Sequence, residues 1–87
     1  MTIDLTGITT HDAFHKLLKQ HLAFPDWYGA NWDAFWDTVT ALIEMPDYLI
    51  LEHWEEFAQA CPRDMQILRE LIAEYHREFP EKQIILG

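Results

Sequence analysis

The run Tyr48-Leu49-Ile50-Leu51 constrains this chain most. Four consecutive apolar residues without polar alternation, bounded by the break Met45-Pro46-Asp47, predict an interior parallel strand buried on both faces, with Tyr48 as core packing. Parallel strands need crossover connections of a dozen or more residues. The chain supplies one on each side. Thr2 to Leu5 predicts a first short strand ended by Gly7, and Gln83 to Leu86 predicts a last one. Between the first two strands, Thr9 with Asp12 has capping-box spacing for a helix over His11 to Leu22 with Phe14, Leu17, Leu18 and Leu22 as its stripe, stopped by Pro25. A second helix opens at the N-cap Asn31 and runs from Trp32 to about Ile43. Between the last two strands, Trp54 to Ala60 predicts a brief helix ended by Cys61-Pro62, with Trp54 as packing. Arg63 to Phe79 then carries Met65, Leu68, Leu71, Ile72, Tyr75 and Phe79 at helical spacing up to the stop at Pro80. With right-handed crossovers, this order predicts an α/β fold: a three-stranded parallel sheet packed with about four helices in one domain over 1–87.

Eighty-seven residues leave room for one small core, so function must sit on its outside. The net charge of −9, from 15 acids against 6 Lys plus Arg, argues against nucleic acid or anionic membrane and for a basic partner. No Lys or Arg occurs between Lys19 and Arg63, whereas Asp26, Asp33, Asp37, Glu44, Asp47, Glu52, Glu55 and Glu56 all fall there. Cys61 is alone, which fits a reducing cytosol and no disulfide. The N-terminus M-T-I-D-L-T has no basic region or long apolar run, and no segment reaches the ~20 apolar residues of a membrane span. The expectation is a cytoplasmic protein.

The stretch Pro25-Asp26-Trp27-Tyr28-Gly29-Ala30-Asn31-Trp32-Asp33-Ala34-Phe35-Trp36-Asp37 packs three tryptophans and three carboxylates together without a cation. Pro25 and Gly29 keep its first half out of helix. At ~100° per residue in its second half, Trp32, Phe35, Val39, Leu42 and Ile43 form a core face, while Asp33, Asp37 and Glu44 form a strip bordered by Trp36. Asp33 and Asp37 repel at i, i+4, costing the isolated helix ~0.2 to 0.5 kcal/mol. An acidic strip edged by indole and lacking internal cations points to a partner that supplies them.

Other constellations are weaker. Asp33 and Asp37 could pair as general acid and base, but so short a chain offers little concave volume, and no nucleophile triad or phosphate loop accompanies them. His11 and His15 have a zinc-compatible i, i+4 spacing without a third ligand in any motif, so they are expected to be exposed helix histidines; no metal or cofactor is expected. Cys61 lacks a base and is expected to be an inert thiol.

The segment Leu22 to Asp37, L-A-F-P-D-W-Y-G-A-N-W-D-A-F-W-D, resembles the signature of the barstar family, intracellular inhibitors of barnase-type ribonucleases. The resemblance is gapless there and extends to the first strand and the terminal I-I-L-G, while Asp47 to Met65 has no correspondence that can be carried over. It implies the same sheet and helices, and a 1:1 immunity or antitoxin-type complex with a small basic extracellular-type ribonuclease or nuclease toxin. By that resemblance Asp37 enters the phosphate site of the enzyme, and Asp33 and Glu74 pair with flanking cations. Trp27, Tyr28 and Trp36 are the aromatic anchors, Gly29, Asn31 and Thr40 shape the loop and make close contacts, and Leu42 lines the rim. Ala41-Leu42 and Trp27 depart from the Gly-Trp and tyrosine of a family member, which shifts the expected target away from barnase itself. The alternative is an acidic interaction module that binds a basic partner without inhibiting a nuclease.

Overall fold

The computed structural model describes residues 1–87. Strand β1 (Thr2–Asp4) leads to helix α1 (His11–Leu22) and helix α2 (Trp32–Asp37), which continues as a π turn over Thr38–Leu42. Strand β2 (Tyr48–Glu52), helices α3 (Glu55–Ala60) and α4 (Pro62–Glu78), and strand β3 (Gln83–Leu86) follow. The sheet is parallel throughout in the order β1-β2-β3, with Ile3 beside Leu51 and Leu51 beside Leu86. The expected three-stranded parallel sheet with four helices is therefore the observed fold.

Local chemistry sets the element ends. Thr10, one residue later than the expected cap, accepts a 3.1 Å hydrogen bond from the Ala13 amide, and Ala23 closes α1 in a left-handed conformation (φ 54°) two residues before Pro25. Asn31 caps α2 as expected, its side-chain oxygen accepting from the Ala34 amide at 2.8 Å. Pro62 opens α4 at the first helical position, where its missing N–H costs nothing.

Sheet burial corrects the reading of β2. Leu49 and Leu51 are fully buried, but Ile50 is only half-buried and Tyr48 is 56% exposed. Both crossovers join neighbouring strands in sequence and share one hand, so all the helices lie over the same face. That face carries Ile3, Leu5, Leu49, Leu51 and Ile84 against Phe14, Leu18, Phe35, Phe57 and Leu68. The opposite face, with Tyr48 and Ile50, has no helix on it, and the unbroken apolar run did not betray which side would be left open.

Candidate functional site

Helices α2 and α4 lie side by side along an open groove of about 610 Å³. On one wall stand Trp32, Asp33, Trp36 and Asp37; on the other stand Ile67, Leu71, Glu74 and Glu78. The structure thus joins Asp33, Trp36, Asp37 and Glu74, three of which are neighbours on one helix and the fourth of which comes from a helix more than thirty residues downstream. Glu78 and Ile67 were not expected at the site, and Leu71 was expected only as part of the core stripe of α4. Their signal was present in α4, where 67, 71, 74 and 78 repeat at helical spacing on one side.

The wall residues leave four carboxylates over an apolar floor with no cation among them. Asp33 and Asp37 form no ion pair, whereas Glu74 is bonded to Arg77 one turn along its own helix. Glu44, expected to belong to the cation-free strip, instead meets Lys82 at 3.3 Å, a pairing that only the fold creates. Because the Glu44 side chain is 96% exposed, that pair adds little stability even though Lys82 is only 26% exposed. Unpaired negative charge in the groove therefore rests on Asp33, Asp37 and Glu78.

The end of α2 explains the next residues. Thr40 donates its hydroxyl to the Trp36 carbonyl at 2.7 Å, and the Ile43 amide reaches back five residues to the Thr38 carbonyl at 3.2 Å. Such back-bonding loosens the backbone ladder, and the π turn results. A π turn advances each residue through a smaller angle than an α turn, so Leu42 lags out of the core stripe. It is 47% exposed, which corrects its expected place on the core face and leaves it on the surface as a contact candidate. Thr40 is half-buried and its hydroxyl proton is already engaged.

The loop before α2 is anchored from several directions. Lys19 Nζ donates to the Asp26 carbonyl at 3.0 Å, and the Tyr28 amide donates to the Pro25 carbonyl at 2.9 Å. Gly29 is shaped by close approach, because a Cβ there would lie 3.2 Å from the Asn31 side-chain nitrogen, which donates back to the Gly29 carbonyl at 3.2 Å. Trp27 stands free at 72% exposure, the most exposed aromatic of the chain. Tyr28 is a correction: it is 8% exposed, its ring packs on Phe24, and its hydroxyl lies 2.6 Å from His15 Nδ1. It therefore supports the loop from within and cannot act as an outward anchor.

The histidines also differ from expectation. His15 is wholly buried among Phe14, Trp32 and Tyr28, and His11 packs against it at a tilt with ring centroids 4.3 Å apart. Burial, helped by the neighbouring His11 charge, lowers the His15 pKa from 6.5 to about 4. No group of three metal-ligating side chains converges here or elsewhere. Cys61 is half-buried, donates weakly to the Thr9 carbonyl at 3.4 Å, and is pushed up in pKa by burial and then by Asp64, as suits a thiol without nucleophilic use.

No helix is long and apolar enough to cross a membrane. A family model described as "Barstar (barnase inhibitor)" matches residues 1–86. The chain is also similar to the protein named "Putative ribonuclease inhibitor YrdF" of Bacillus subtilis (strain 168), with 43% identity over 53 residues, which are 61% of this chain and 58% of that relative.

Proposed function

This chain belongs to the barstar family, and from that premise we propose that it is a stoichiometric inhibitor of a small basic ribonuclease, acting inside the cell as an antitoxin or immunity protein. The observation that carries this reading is the groove in which Asp33, Asp37, Glu74 and Glu78 stand over an apolar floor with no facing cation. A ribonuclease active site holds RNA phosphates with Arg, Lys and His. Carboxylates on a helix offer those groups the same charge-assisted hydrogen bonds without a bond to cleave. Asp37 takes the phosphate position, Asp33 and Glu74 meet flanking cations, and Trp36 shields them from water. Trp27 and Leu42, exposed before and after α2, are the apolar contacts that bracket the charged centre. Gly29, Asn31 and Thr40 hold loop and helix in register.

The test is a titrated RNA-cleavage assay with purified barnase and with any basic ribonuclease captured from the source cell. Inhibition should saturate at one equivalent, and Asp37→Ala should weaken it by about 2 to 5 kcal/mol, the usual cost of stranding buried charges on a partner. Binding that leaves cleavage intact would select the interaction-module reading instead. Equal potency of Asp37→Ala and parent would remove the phosphate-mimic mechanism.

A further inference from the structure

His11, at the first position of α1, is hydrogen-bonded to two other parts of the molecule. Its Nδ1 lies 3.0 Å from Asp64 Oδ1 of α4, and its Nε2 lies 2.9 Å from the carbonyl oxygen of Ala30 in the loop. The same Asp64 oxygen accepts from the Trp32 indole of α2 at 2.9 Å. A carboxylate and a carbonyl are both acceptors, so both ring nitrogens must carry hydrogen to satisfy them. Only the imidazolium does that.

We propose that protonated His11 is a positioning residue for the binding surface: held in place by Asp64, it pins the Ala30 carbonyl and thereby sets partner affinity. The consequence for binding rests on the inhibitor reading above; the latch itself does not. Ala30 has φ 49°, an uncommon conformation for a residue with a side chain, and it immediately precedes Asn31, the cap of α2. Neutral His11 has one hydrogen for two acceptors. The carboxylate retains it, a nitrogen lone pair then faces the Ala30 oxygen, and nothing holds that residue in its left-handed conformation. The carbonyl turns to water, disturbing the loop that carries Trp27 and the cap that starts the helix of Asp33 and Asp37.

The groups around His11 agree on the sign. Burial favours the neutral form, but the Asp64 hydrogen bond, the Ala30 carbonyl and the Asp64 and Asp12 charges outweigh it and raise the His11 pKa above 6.5. His15, packed against it, stays uncharged, and the Trp32 indole hydrogen bond helps hold Asp64 ionised. Cys61, near Asp64, remains a neutral thiol. A group whose folded pKa is raised contributes fully below its unfolded value and is lost as pH rises through the folded one, so the latch opens on the alkaline side.

The experiment is an NMR titration of the isotope-labelled chain from about pH 5 to 9, following the His11 ring, the Ala30 carbonyl carbon and the Asn31 amide. The expected result is one shared midpoint above 6.5, with the Ala30 and Asn31 steps absent in His11→Gln. With barnase as the probe, the parent should lose about five- to tenfold in affinity across that midpoint relative to His11→Gln, the size of one hydrogen bond. Ala30 and Asn31 signals that ignore the His11 titration, a His11 midpoint at or below 6.5, or equal pH slopes of Kd in parent and variant would each overturn the proposal. If neither barnase nor a basic ribonuclease captured from the source cell is bound at any pH, the inhibitor reading falls, and the Ala30 titration still decides the latch.

Discussion

Acidification from pH 7 to 4.5 should cost this protein much of its stability through one side chain, His15. The ring is wholly buried, its Nδ1 is engaged with the Tyr28 hydroxyl, and its Nε2 has no protein partner. Charging it means placing a cation in an aromatic cage beside His11, which is itself protonated. Burial first, and His11 second, hold its pKa at about 4 instead of 6.5. The unfolded chain therefore binds the proton more readily, so the His15 contribution is complete above 6.5 and declines as pH falls toward 4. The whole interval corresponds to about 3 kcal/mol, of which roughly 2 kcal/mol is lost by pH 4.5. Against the ~4 to 13 kcal/mol expected of a domain this size, that is a substantial share. Two carboxylates with hydrogen-bond partners remain largely ionised at pH 4.5: Asp4 is held at about 2 by hydrogen bonds from Thr6 and His53, and Asp64 lies below its ordinary value. Urea unfolding followed by tryptophan fluorescence, at both pH values, should show the parent losing about 2 kcal/mol more than His15→Gln, whose amide cannot take up the proton. Parallel losses in the two proteins would refute the assignment of acid lability to this histidine.

Asp37→Asn should leave the free protein as stable as the parent or more so, by up to ~0.5 kcal/mol, because it removes the i, i+4 repulsion with Asp33. Thermal melts check this, and a loss above about 1 kcal/mol would mean that Asp37 has a structural role. Association with a basic ribonuclease should be fast at low salt and slow steeply as salt rises, since exposed charges are screened beyond about 8 to 10 Å at physiological ionic strength. Stopped-flow rates indifferent to salt would contradict the charged groove as the docking surface. Ala41→Gly with Leu42→Trp should strengthen barnase binding at little cost in folding, because Leu42 is exposed at the rim of the π turn. Calorimetric Kd values that do not move in a folded double variant would direct the question of partner choice to Trp27.

What the sequence alone determined was whatever depends on near neighbours along the chain. The three strands, the four helices, the Asn31 cap and the shared face of Asp33, Trp36 and Asp37 all follow from periodicity and capping chemistry, which act within a turn or two. Glu74 reached the candidate site only through the barstar resemblance, because nothing local distinguishes it from other acids on α4. Tertiary structure alone decided the rest. Which face of the sheet the helices would cover left Tyr48 exposed and buried Leu49. A hydroxyl bond from Thr40 and a five-residue reach from Ile43 opened a π turn that rotated Leu42 outward. Packing of α1 against the loop and α4 enclosed His15, gave His11 its two acceptors and turned Tyr28 inward, while the return of the chain into β3 brought Lys82 to Glu44. Each of these depends on atoms far apart in sequence, whose contacts exist only once the core has closed.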